Sequence, residues 1–201
     1  MKWLTPVLPY LAVGIGLFWI EHALLALLTF HAAIVLSLLL ARSTVPVKIL
    51  FRTHNVRWVL LSILLCGSSG ISLYFLVHVF GIRGDLSAHV RSLGLTTSTW
   101  PIFLTYFVLV NPLVEEYFWR GYLGSPTMGL YASDFLYAGF HALILWRSVQ
   151  PALIVYSLIV LVLAGWFWRQ LARIDGGLLA PALGHMAADF TILMAVYWMS
   201  V

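Results

Sequence analysis

An all-α, polytopic membrane fold is the class this chain predicts, and three observations predict it. Hydrophobic residues make up 62% of the 201 residues and charged residues only 9%. Mean hydropathy is +0.99, whereas an ordinary soluble domain carries about 25% charged residues. The apolar residues are also gathered into runs near the roughly 20 residues that a spanning helix needs, with short polar punctuation between them.

The runs fall at residues 4–20, 23–41, 58–82, 100–123, 134–146, 152–168 and 178–199, which predicts a transmembrane helical bundle of about seven spans, with six to eight compatible with the pattern. Lys2 and the apolar residues after it resemble the start of a signal peptide. Pro6, Pro9 and the lack of a small-residue cleavage site instead predict a retained first helix. Residues 4–41 are almost continuously apolar, and roughly 38 residues at about 1.5 Å each are twice the hydrocarbon thickness. A tight hairpin is therefore expected at Glu21 and His22, although neither Gly nor Pro marks it. The fifth run is short and relies on its neighbours, and the sixth carries no ionisable residue inside its predicted limits. Gly121, Gly124, Pro126 and Gly129 break the chain after the fourth run, and Asp175-Gly176-Gly177 breaks it before the seventh. The polar stretches 42–57 and 81–98 look too short to hold anything folded, so any chemistry has to be built within the bundle.

Lys and Arg placement predicts orientation, because short cytoplasmic loops collect positive charge. Arg42, Lys48, Arg52 and Arg57 lie in the second loop, and Arg169 and Arg173 follow the sixth run. Both segments, and the amino terminus, are expected on the cytoplasmic side, against Arg83, Arg91 and Arg147 on the other. The pI near 9.4 is thus a topology signal. No Lys and Arg cluster is interleaved with exposed aromatics, and no nucleic-acid partner is expected. The lone Cys66 excludes an intrachain disulfide framework.

Function is to be sought where charge is expensive. The stretch NPLVEEYFWRG, residues 111–121, places two carboxylates and a guanidinium in a predicted span. Each charge there costs on the order of 3 kcal/mol, which marks a site facing protein or water. Further ionisable groups are His141 in the fifth run and His185 and Asp189 in the seventh. Residues four apart share a helix face, so Glu116 and Arg120 can pair, and His185 and Asp189 line one stripe. Glu115 is turned by about 100° and stays free of that pairing, though a kink after Pro112 would let Arg120 reach either Glu. A carboxylate held by a guanidinium is structural, whereas a second one in an apolar wall is the better general base. At about 1.5 Å per residue, Glu115, His141 and His185 each come out roughly 10 to 12 Å from the cytoplasmic ends of their helices, so they can meet. A carboxylate and a His can deprotonate water, and a second His can hydrogen-bond an oxyanion, which suits peptide hydrolysis.

With those residues in view, the sequence resembles the CPBP intramembrane proteases, the group of type II CAAX prenyl endopeptidases and bacterial abortive-infection or bacteriocin-immunity homologues. EExxxR is Glu115-Glu116-Tyr117-Phe118-Trp119-Arg120, FxxxH is Tyr137-Ala138-Gly139-Phe140-His141 with Tyr in place of Phe, and HxxxN/D is His185-Met186-Ala187-Ala188-Asp189. The resemblance covers residues 100–201, a catalytic core, and leaves residues 1–99 as divergent amino-terminal helices. It implies a glutamate-type peptidase in which Glu115 and His141 activate water and His185 and Asp189 stabilise the oxyanion. Glu116 and Arg120 then form an essential structural pair. It implies no obligatory cofactor, and a peptide or lipid-modified protein substrate at the cytoplasmic face of the cell inner membrane. An anion at Asp189 would stabilise an oxyanion poorly unless protonated or acting through His185.

The rival readings are a haem held between His141 and His185, a zinc ion on Glu115, His141 and His185, and a non-catalytic immunity or partner-binding protein of the same fold. Glu21, His22, His31 and His78 are read as mainly structural, and Trp3, Trp58, Trp100, Trp146, Trp168 and Trp198 as residues near helix ends.

Overall fold

The computed structural model describes residues 2–82 and 84–200, so Arg83 of the orientation argument lies outside the described residues. Seven apolar helical segments follow one another among the described residues. The first is α1 (Val7–Ile15), continued by a π turn at Gly16–Ile20, and the second is α2 (Ala23–Leu40). The third is a pair, α3 (Val56–Cys66) and α4 (Ser69–Phe80), and a short α5 (Leu86–Ser92) lies in the loop beyond it. Then come α6 (Trp100–Glu116) with a π extension at Tyr117–Tyr122, α7 (Ala132–Leu145), α8 (Pro151–Asp175) and α9 (Leu179–Ser200). Five segments are long and apolar enough to cross a membrane: Lys2–Ile20, Ala23–Leu40, Val56–Phe80, Pro151–Asp175 and Leu179–Ser200. The protein is an integral membrane helical bundle. The α6 segment with its π extension and the shorter α7 carry most of the candidate site residues.

The hairpin without Gly or Pro is made by backbone strain at one residue. Glu21 adopts φ 52° and ψ 46°, a left-handed conformation uncommon for a side chain of this kind. His22 caps α2 through Nδ1, which accepts from the Leu25 amide at 3.4 Å. Helix α9 is the hub of the second half and packs on α3, α4, α6 and α8. Its buried Ala180, Ala182, Gly184 and Ala188 let neighbours approach closely. A β-carbon at Gly184 would lie 1.9 Å from Ser62 Oγ of α3, so only glycine permits this approach.

Three expectations need correction. The third run is one span in length but not one helix, because it turns at Gly67 and Ser68. The sixth helix continues past residue 168 to Asp175, which moves Arg169 from a loop into a buried helical position, 2% exposed. Both polar stretches fold locally. Val47–Phe51 forms a 3-10 turn that buries Leu50, and Asp85 caps α5 through a bond from the Ala88 amide at 3.1 Å while Val90 packs among Ala23 and Leu27. In each, one or two apolar side chains found a hydrophobic neighbour, which outweighed the polar composition.

Contacts identify the two ends of the bundle. At one end Lys2 lies over the Tyr122 ring, Trp3 meets Tyr131, and Asp175 Oδ1 accepts from the amides of His54 and Asn55, both at 2.9 Å. At the other, Glu21 pairs with Arg147 at 2.7 Å and Ser148 meets His89. Lys48, Arg52 and Arg57 fall toward the first end, the asymmetry from which orientation was read.

Candidate active site

The site grows from the end of α6. Pro112 sits inside the helix, and directly after Glu116 the helix widens into the π segment, where the Leu123 amide bonds back to the Phe118 carbonyl at 2.9 Å. Such widenings recur at functional sites. Here it presents Arg120 inward. Arg120 Nη1 donates to Glu116 Oε1 at 3.0 Å, so the predicted pair forms with Glu116 and not with Glu115. The guanidinium lies over the Tyr137 ring at 4.0 Å and the Trp168 ring at 5.1 Å, a cation–π seat that replaces water around a buried charge. Gly165 of α8 makes room for it, since a β-carbon there would sit 3.2 Å from both Arg120 Nη2 and Tyr137.

His185 enters from α9. Its Nδ1 lies 2.9 Å from Glu116 Oε1, and its Nε2 lies 3.5 Å from Asp189 Oδ1. The ring stacks on Trp168 at 4.5 Å and meets the Tyr137 ring edge-on at 5.9 Å. Glu116 thus collects two partners on one oxygen and is fully buried. Glu115 is 2% exposed, and its Oε2 has no hydrogen-bond partner. Its charged surroundings are His185, Asp189 and Arg120.

His141 Nδ1 lies 3.0 Å from the Tyr137 carbonyl one turn back. A carbonyl only accepts, so Nδ1 carries the hydrogen and Nε2 is left as an acceptor. His141 also contacts the Tyr137 ring at 5.0 Å and the Phe140 ring at 4.1 Å. The structure therefore connects Glu116, Arg120, His185 and Asp189 directly. It sets Glu115 beside them and joins His141 to them through Tyr137. Among the described residues no direct hydrogen bond joins Glu115 to His141, and a water-sized reactant would have to mediate between them.

Among the described residues no group of three or more His, Cys, Asp or Glu side chains is disposed to hold a metal ion. A haem iron would require a free nitrogen on His185, whose two nitrogens face Glu116 and Asp189.

Residues 97–191 match the family described as type II CAAX prenyl endopeptidase Rce1-like. Over this segment, just under half of the chain, the protein is similar to CAAX-type membrane proteases. The matched Rce1-like segment runs from the loop before α6 to two residues beyond Asp189, so it contains all six candidate residues and leaves α1 to α5 outside it. No curated protein and no solved structure matches the chain.

Sequence reasoning missed two partners of the candidate site. Asn111, 2% exposed, donates through Nδ2 to Asp189 Oδ2 at 3.2 Å, and its place one turn before Glu115 was an available signal. The other is the Arg169 clamp. Arg169 binds Asp134 bidentately, with Nε to Oδ1 at 2.9 Å and Nη2 to Oδ2 at 2.7 Å. It also donates to the carbonyls of Ser125, Thr127 and Gly129, fixing the loop that brings α7 back beside α6. Read as a loop charge, Arg169 gave no sign of this.

Proposed function

We propose that the protein is an intramembrane endopeptidase that hydrolyses a peptide bond of a membrane-associated peptide or lipid-modified protein. One observation carries this reading. Of two adjacent buried carboxylates, Glu116 is engaged by Arg120 and His185 through Oε1, while Glu115 forms no ion pair among the described residues and its Oε2 has no hydrogen-bond partner. Spare basic capacity in an apolar, buried setting suits a general base.

In this reading Glu115 takes a proton from a water shared with Nε2 of His141, and the water oxygen attacks the scissile carbonyl carbon. The carbonyl oxygen becomes an oxyanion stabilised by His185, whose loose 3.5 Å contact with Asp189 lets Nε2 turn toward it. Asp189 then acts by orienting His185, which answers the objection to an anion at that position. On collapse the C–N bond breaks and the proton held by Glu115 passes to the leaving amine. The Glu116–Arg120 pair holds His185 from its other nitrogen. The reading uses no cofactor and no metal. The Arg-rich end faces the cytoplasm, and the site opens toward that side of the cell membrane.

The test compares peptide termini in membranes from cells carrying the native protein and cells carrying Glu115→Ala at matched expression. New termini that depend on Glu115 are expected, and they also name the substrate. Identical profiles, with Glu115→Ala still rescuing the phenotype of the missing protein, would favour an immunity or partner-binding protein of the same fold.

A further inference from the structure

A buried polar chain enters the site from the amino-terminal half, and the reaction just described does not use it. His31 of α2 is 5% exposed. Its Nε2 lies 3.1 Å from Asn111 Oδ1 and its Nδ1 lies 3.0 Å from the Tyr106 hydroxyl. Asn111 in turn donates to Asp189, and Asp189 faces His185. The directions of these bonds are determined by what each group can do. A carboxylate only accepts, so the Asn111 NH2 must face Asp189 and its carbonyl must face His31. His31 therefore carries its hydrogen on Nε2, and its Nδ1 accepts from Tyr106. A flipped Asn111 would set oxygen against oxygen at Asp189 and nitrogen against N–H at His31.

Asn111 and Glu115 lie one turn apart on α6 and share a face. The same face thus offers a base at 115 and an amide donor at 111. Position 189 on α9 carries an acid, which has no hydrogen to donate when ionised. We propose that Asn111 is a further positioning residue of the active site, set by His31 of the amino-terminal half, and that it holds Asp189 in register with His185. The proposal rests on the peptidase reading above. It makes α2 part of the site although α2 lies outside the matched family segment.

The test uses the full-length protein in proteoliposomes and the substrate named by the termini comparison. Asn111→Asp keeps the shape but turns the donor into a second acceptor. It should lower kcat by about tenfold or more with KM within about twofold, the size of effect expected for directly bonded partners. The exchanged pair, Asn111→Asp with Asp189→Asn, restores one amide and one acid with their helices swapped and should recover most of the loss. A packing role alone would not be rescued by the exchange. His31→Gln, which keeps a side-chain N–H donor, should remain closer to native than His31→Leu, and this second comparison holds even if Asn111→Asp fails to fold. Native activity in Asn111→Asp, or no recovery in the exchanged pair, overturns the proposal. Glu115→Ala in the same assay separates the two failures. Activity lost with Glu115→Ala but retained with Asn111→Asp sinks the relay alone, and activity retained with Glu115→Ala sinks the peptidase reading and the relay with it.

Discussion

Two buried arginine–carboxylate pairs lie close together in this bundle, and they are built differently. Arg169 spends every N–H it has on Asp134 and on the carbonyls of Ser125, Thr127 and Gly129. Arg120 makes one hydrogen bond to Glu116, and its Nη2 has no hydrogen-bond partner, like Glu116 Oε2 and Glu115 Oε2 beside it. A buried pair that is fully satisfied is what structure alone would produce, because each unpaired buried polar atom costs on the order of 1 to 3 kcal/mol. The pair near Glu115 leaves three such atoms without hydrogen bonds, and the Arg120 charge rests instead on the Tyr137 and Trp168 rings. One pair is a clamp on a loop, and the other keeps hydrogen-bonding capacity in reserve, as the proposed site requires.

Substitutions can break this contrast in order of expected size. Glu115→Gln should lower the cleavage rate by about 10²- to 10⁴-fold, the usual worth of a general base. Its melting temperature in detergent should stay at or above the native value, since a neutral amide is easier to bury. A fall in melting temperature instead would turn Glu115 into a second clamp. Asp134→Ala should do the reverse and cost about 3 to 5 kcal/mol of stability, because the Arg169 charge is left buried without its partner. Thermal unfolding in detergent measures it, and a native-like melting curve would deny the clamp. Gly165→Ala should push on Arg120 and Tyr137 for about 1 to 3 kcal/mol of destabilisation. Because it tilts the guanidinium, its effect on kcat should exceed its effect on melting. The smallest effect is expected for the half-exposed Glu21–Arg147 pair at the other end of the bundle. Glu21→Gln should change stability by at most about 1 kcal/mol, and less as salt is added.

The same contrast shows what reading along the chain can reach. The EExxxR spacing is local, so the partnership of Arg120 with Glu116 followed from helical periodicity and stands in the structure at 3.0 Å. Helix rise likewise gave the expectation that Glu115, His141 and His185 lie at similar depths. Arg169 was misread because its helix runs a further two turns beyond the last apolar residue expected, and its partners are carbonyls in a loop some forty positions away. Glu116 was read as a structural partner of Arg120, but its second bond, to His185, spans 69 positions and no local rule predicts it.

By itself the sequence determined the solvent, the helical class, the approximate ends of seven apolar segments and which ionisable residues stand inside them. These depend on quantities that are local: hydrophobic length against bilayer thickness, and side chains returning to one face each turn. The tertiary structure decided that His185 joins Arg120 on one oxygen of Glu116, which arginine is a clamp, and that His31 reaches Asp189 through Asn111. Those outcomes depend on hydrogen bonds between helices far apart in the chain, which no local periodicity encodes.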